Sequence, residues 1–178
     1  MRLLIVILLL FTACTKYEVP YIIQIEEGNH YCTPATFRSD KQVDWSYQFD
    51  LTKAKYCFTL LDQDEEQDWN KLVGVKTDYF VSDKNSYMVG YRSDGDSLQF
   101  CHYWNDDAGE FFFETVPVVD EVITVDFYQV VDSLYIDISG YTKAYYMPGN
   151  KTLYYVNTWF GGNHTAPSDL DFIRYKIR

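Results

Sequence analysis

The chain has 178 residues and a formal net charge of −11 at pH 7. That length suits one domain and can bury a real core without disulfide or metal staples. Such an acidic surface repels nucleic-acid phosphates and anionic lipid headgroups, so nucleic acid is not an expected partner.

With 17 Tyr, 12 Phe and 4 Trp, the composition favours strands, where wide rings pack on a pleated surface. Met1-Arg2 is a short basic start, and Leu3 to Phe11 is an unbroken apolar run. The run is far shorter than the ~20 residues a helix needs to span a bilayer. A basic residue, an apolar run and then small residues read as a secretory signal. Leu10-Phe11-Thr12-Ala13-Cys14 resembles a bacterial lipobox, in which the Cys is lipidated and becomes the mature N-terminus. The expected organisation is a lipoprotein signal peptide over 1–13, a tether over 14–20 and one domain over 21–178. The expected address is the cell envelope, at the outer membrane, with the membrane as partner through the lipid.

Tyr21 to Ile25 reads as a first strand, and Gly28-Asn29 as a turn. Residues 29–44 are polar and irregular, with Pro34 as a breaker. From Trp45 a period of two sets in. Trp45, Tyr47, Phe49 and Leu51 alternate with Ser46, Gln48 and Asp50, the pattern of a half-buried strand. Tyr56, Phe58 and Leu60 continue it, and an acidic loop follows over 62–68. Ser93-Asp94-Gly95-Asp96 signals a hairpin, and Leu98, Phe100, His102 and Trp104 share a face of the next strand. Asn105 to Gly109 is a turn before a short strand at Phe111 to Thr115. Strands over Val122 to Val131 and Leu134 to Ile138 are joined by Asp132-Ser133. Met147 to Asn150 turns the chain into strands over Thr152 to Phe160 and Leu170 to Ile177. No stretch has a convincing 3.6-residue period. The expected fold is all-β: an antiparallel β-sandwich of jelly-roll or lectin-like type, with eight to ten strands.

One stretch departs from plain alternation. Asp68-Trp69-Asn70-Lys71-Leu72-Val73-Gly74 crowds Trp, Asn and Lys where a sandwich would place Val and Thr. Its sequel runs Asn85-Ser86 to Gly90-Tyr91-Arg92, and Phe160-Gly161-Gly162-Asn163 with Ala166-Pro167 follows near the end. In this order the segments resemble a family of small secreted or lipid-anchored Bacteroidetes-type proteins. That family carries Asp-Trp-Asn-Lys-Leu-Phe-Gly, then Asn-Ser…Gly-Trp-Arg, then Phe-Gly-Gly-Asn…Ala-Pro. The resemblance spans residues 68–167, with Val73 and Tyr91 in place of the usual aromatics. It implies a β-sandwich and supplies no reaction.

Several chemistries can be weighed from residue types. Asp62, Asp64 and Glu66 alternate in an oxygen-rich loop that would suit Ca²⁺, but Gln67 stands where an EF-hand needs Gly. An acidic surface loop without metal is the commoner case, and no cofactor is expected. His30 and Cys32 lack a second pair at zinc spacing. No Gly-x-Ser-x-Gly elbow occurs, and His102 sits on an apolar face, where a satisfied core His is the plain reading. Glu110 with Glu114, Asp126 with Tyr128 and Tyr135 with Asp137 share strand faces. A glycosidase uses two such carboxylates, but a solvated strand face explains them more simply. With Cys14 lipidated, Cys32, Cys57 and Cys101 remain. An exported chain permits a disulfide, and a free buried Cys is an equal reading for Cys57 and Cys101.

The aromatic and amide set is the best candidate site. Sugars present apolar C–H faces and many hydroxyls, so their sites combine an aromatic platform with amide and cationic hydrogen bonders. Trp69, Asn70, Lys71, Asn85, Ser86, Tyr91, Arg92, Trp159 and Asn163 are candidate ligand-binding residues. The competing reading makes the same motif structural. Asn70 and Asn163 would satisfy loop backbones, and Gly161-Gly162 would supply positive φ. The preferred function is a lipid-anchored accessory protein without catalytic activity, binding a glycan or a surface protein. Two others stand beside it: a polysaccharide lyase or hydrolase using Lys71, Tyr91 and Arg92, and a structural protein of a surface assembly.

The lipobox gives a direct expectation. Cys14→Ser abolishes acylation and moves the protein out of the detergent phase, read by phase partitioning and intact mass. A variant that stays acylated overturns the assignment.

Overall fold

The computed structural model describes residues 21–35, 39–41, 43–52, 69–78, 85–94, 97–106, 108–109, 111–117, 122–148, 151–161, 165–166 and 169–176. The signal, Cys14, the tether, Tyr56 to Leu60, the acidic loop, Cys57, Glu110 and Asn163 lie outside these. Among the described residues thirteen strands, numbered along the chain, form two antiparallel sheets. One sheet is ordered β11 (Tyr141–Tyr146), β10 (Ser133–Ile138), β9 (Val122–Val130), β4 (Asp44–Asp50), β13 (Leu170–Lys176), β1 (Tyr21–Ile25), β2 (Cys32–Thr33). The other is ordered β3 (Ser39–Asp40), β12 (Leu153–Val156), β5 (Asn70–Lys76), β6 (Ser86–Asp94), β7 (Ser97–Asn105), β8 (Phe111–Val116). The expected antiparallel sandwich is the observed architecture. No helix among the described residues is long and apolar enough to cross a membrane.

Alternation decides which residues meet between the sheets. In β4, Trp45, Tyr47 and Phe49 point inward and lie opposite Phe127, Val125 and Ile123 of β9. Val73 and Val75 of β5, Val89 and Tyr91 of β6 and Phe100 of β7 face them from the second sheet. Trp45 tilts against Tyr155 at 5.8 Å, and Tyr91 stands edge-on to Phe172 at 5.6 Å, so rings join the two layers. Burying each such side chain contributes about 1.5–3 kcal/mol. Arg174 also points inward. Its guanidinium lies 4.8 Å from the Tyr21 ring and 5.2 Å from Tyr47, and donates to the Tyr155 hydroxyl at 2.5 Å. Tyrosine faces and an oxygen replace the water this cation gives up. Burial pushes the Tyr155 hydroxyl pKa up, and Arg174 opposes that shift.

Three expectations change. The segment 29–44 is not wholly irregular, because β2 and β3 add short edges to each sheet through pairing with β1 and β12. Tyr141–Tyr146 is a strand that alternation alone misses. It is an edge strand, largely exposed, so little selects an apolar period there. The left-handed Ser139 (φ 50) and Gly140 (φ 96) turn the chain back from β10 to make it. The strand expected over Thr152 to Phe160 stops at Val156, and Trp159 then makes only isolated bridges.

His102 lies on the inner face of β7 and is 3 % exposed. Its Nε2 is 3.1 Å from the Tyr141 carbonyl oxygen, so the tautomer that donates there leaves Nδ1 as a buried acceptor with no partner among the described residues. The ring is therefore a core His, as its apolar face implied, though only half satisfied. Burial lowers its pKa, the Tyr141 carbonyl raises it, Lys143 lowers it and Asp137 raises it. Glu114, opposite His102 on β8, is paired with Lys143. A folded-state pKa below the unfolded ~6.5 means that the unfolded chain takes up the proton first as pH falls. Stability is accordingly lost as pH drops below about 6.5, and levels off below the folded-state value. Urea unfolding at pH 7.5, 6.5 and 5.5 should show this slope in the wild type and a flatter one in His102→Gln. Equal slopes would show that His102 does not carry the effect.

Candidate functional site

The site is built on a seam between two distant segments. A register shift interrupts the β5–β6 ladder between Lys71 and Val73. On the other edge of β5, residues 158–161 lie along 70–72. The Lys71 N–H donates to the Trp159 carbonyl at 3.0 Å, and the Trp159 N–H donates back at 2.8 Å. The Thr158 hydroxyl donates to the Leu72 carbonyl at 2.7 Å, and the Gly161 N–H donates to Asn70 Oδ1 at 2.5 Å. Residues 28–31 close over the far side. The Phe160 N–H donates to the His30 carbonyl, and His30 Nδ1 lies 2.9 Å from the Phe160 carbonyl. Gly28 and Asn29 exchange bonds with Ala166.

This seam sets an aromatic and cationic surface on the outward face of the six-stranded sheet. Trp159 stacks on His30 at 5.4 Å and meets Tyr31 edge-on at 4.3 Å. Tyr31 is 66 % exposed, so its ring is open to a ligand. Lys71 Nζ lies 5.8 Å from the Trp159 ring and 5.9 Å from Tyr103. Beyond Tyr103, Phe113 stacks on Trp69 at 5.9 Å, and the Arg92 guanidinium sits 4.4 Å over the Trp69 ring. Arg92 Nε also donates to Gln99 at 3.0 Å. A cleft of about 510 Å³ runs along residues 155–159 and is walled by Tyr31, Lys71, Lys76, Asn157 and Trp159.

The sequence-derived candidates therefore divide. Trp69, Lys71, Arg92 and Trp159 share the outward surface. Tyr91 is fully buried between the sheets and cannot reach a ligand in solvent. Ser86 is buried beside Lys76 and Asn105 in the ladder. Asn70 is 2 % exposed and spends its carbonyl on Gly161, which is the structural role weighed for it. Asn85 has φ 52 and accepts from the Thr77 N–H, so it shapes the turn into β6. It borders a different cleft, of about 290 Å³, with Tyr87, Tyr146 and Lys151. Gly161 is not left-handed. Glycine is required there because a Cβ would come 2.6 Å from the Trp69 carbonyl oxygen. Gly90 is packed as tightly: a Cβ there would come 2.6 Å from Cys101 Sγ and 3.4 Å from the Trp69 ring.

Sequence reasoning missed Tyr31, Lys76, Tyr103, Phe113, Asn157 and Thr158. Lys71, Tyr103 and Phe113 could have been placed on one face by alternation once β5, β6, β7 and β8 were paired in that order. Nothing local marks Tyr31, which reaches Trp159 by a single bridge.

Other chemistry is thinly represented. Among the described residues no three of His, Cys, Asp or Glu gather to hold a metal. Cys32 and Cys101 are free and buried, and burial raises both thiol pKa values, which keeps them protonated and unreactive. On the outward face of the other sheet, Asp126 and Asp137 lie directly opposite each other beside the stacked rings of Tyr128 and Tyr135. Asp137, however, accepts from the Gly140 N–H and the Thr142 hydroxyl, and so holds the β10–β11 turn.

Comparison with solved structures returns LamAcat from Zobellia galactanivorans at 10 % identity and TM-score 0.35, covering 87 % of this chain and 62 % of that one. A LamA variant from the same organism, in complex with laminaritriose and laminaritetraose, matches at 10 % identity and TM-score 0.36, over 87 % and 63 %. A structure described as a native glycosidic hydrolase matches at 10 % and 0.34, over 88 % and 77 %. The chain spans less than two thirds of the length of the first two. No family model and no curated protein matches the sequence.

The seam makes its own prediction. Gly161→Ala forces a methyl against backbone and parts residues 158–161 from 70–72. We expect a loss of about 1–3 kcal/mol in chemical denaturation. An unchanged midpoint would show that the seam does not contribute to stability.

Proposed function

We propose that this protein is a non-catalytic glycan-binding accessory protein of the cell envelope, anchored by lipid on Cys14. The observation that carries the reading is the cleft beside Trp159, where open rings adjoin Lys71 and Asn157. Aromatic faces take the apolar side of a pyranose, and amide and ammonium groups take its hydroxyls. The lipobox-like segment supports the anchor, and the motif resemblance agrees with a secreted or anchored protein.

A catalytic reading has less support. Tyr91, one of its three residues, is enclosed in the core. Among the described side chains at the centre of the outward face, two-carboxylate chemistry lacks its residues. Ser86, Met88, Gly90 and Arg92 on β6 face Asn105, Tyr103, Cys101 and Gln99 on β7, with no acid between.

Trp159 holds its place through main-chain bonds, so its side chain can be removed with the seam kept. Trp159→Ala should weaken glycan binding by about 2 kcal/mol, ~30-fold, with little change in melting. The measurement is a glycan array followed by calorimetry on the best ligand. Wild-type-like binding by the variant would remove this cleft from consideration.

A further inference from the structure

We infer that the ligand of the Trp159 cleft is an anionic polysaccharide, bearing carboxylate or sulfate groups, read by Lys71 and Lys76. The inference rests on the glycan-binding reading and narrows it to a substrate class.

Three observations converge. Both lysines line the cleft, and no Asp or Glu is among the described residues that do. The chain as a whole carries 26 acids against 15 Lys and Arg. The two lysines stand on the same outward face of β5, opposite Gly90 and Ser86 of β6. Their partners on β6 are four residues apart, so at ~3.3 Å per residue the two positions are roughly 13 Å apart along the strand. An extended chain with charges on successive units can meet both ammonium groups at that spacing. The rings lie at one end, where Trp159 stands between Tyr31 and Lys71, so a sugar stacked there would direct its onward chain along residues 155–159 toward Lys76.

The energetics favour short-range recognition. A net charge of −11 repels a polyanion at distance, so steering does not assist approach. Contact inside the cleft is different. An ammonium offers three donors to an anionic oxygen, and charge-assisted bonds are roughly twice as strong as neutral ones. Lysine, a point charge on a flexible stem, accepts carboxylate and sulfate alike.

The test compares ligands that differ only in charge, using the full mature chain. Polygalacturonate is set against its methyl ester, and carrageenan against its desulfated form, by calorimetry at fixed salt. The expected result is that at least one charged member binds about tenfold or more tightly than its neutral counterpart. Tighter polygalacturonate binding assigns the carboxylate, and tighter carrageenan binding assigns the sulfate. Lys71→Met with Lys76→Met, which keeps the apolar stems, should erase that preference while leaving residual binding that still depends on Trp159. Equal binding of charged and neutral members overturns the inference and leaves the glycan reading standing. A double variant that keeps the preference also overturns it. Absence of binding to all four overturns both. Should the double variant fail to fold, the wild-type ligand pairs alone decide.

Discussion

The seam between residues 70–72 and 158–161 is the contact on which the outward surface depends. Four hydrogen bonds, two from main chain to main chain and two using Asn70 and Thr158, join segments some ninety residues apart. Asn70 and Thr158 are each 2 % exposed, so these bonds form away from water, where leaving a partner unmade costs about 1–3 kcal/mol. The seam also explains why Gly161 cannot carry a side chain, since main chain must approach main chain there. Without it, Trp159 would have no fixed position relative to Lys71.

Pleat geometry then sorts a single motif into two jobs. Neighbouring residues on β5 and β6 point to opposite faces. Tyr91 goes to the core, while Arg92 goes outward over Trp69. Asn70 is spent within the fold, while Lys71 reaches between two rings. The structural and ligand-binding readings of the motif are thus not exclusive. Its buried members hold the backbone that presents the others.

The outward ring surface is itself held by packing rather than left as loose side chains. Gly90 lets Cys101 and Trp69 close over β6, Trp69 rests on Phe113, and Arg92 lies over Trp69. Cation–ring contacts of this kind are worth ~0.5–2 kcal/mol and fix side-chain direction as well. A surface ordered before binding loses less side-chain entropy when a ligand arrives.

Local pattern carried the fold class. The alternation of Trp45, Tyr47 and Phe49, and the hairpin signal at Ser93 to Asp96, specify strands because burying one face of a pleated ribbon demands a period of two. The unusual density of Trp, Asn, Lys and Arg likewise marked out Trp69, Lys71, Arg92 and Trp159 before any geometry. What the sequence did not hold was which strand lies beside which. Lys76, Tyr103 and Tyr31 join the surface only because β12, β5, β6 and β7 are neighbours and because Tyr31 bridges Trp159. The edge strand β11 carries almost no apolar period, since its exposed face has nothing to bury against. Period-two patterning records a residue's own burial, whereas sheet order and the seam at Lys71 and Trp159 are set by contacts between distant residues, and only the tertiary structure decides those.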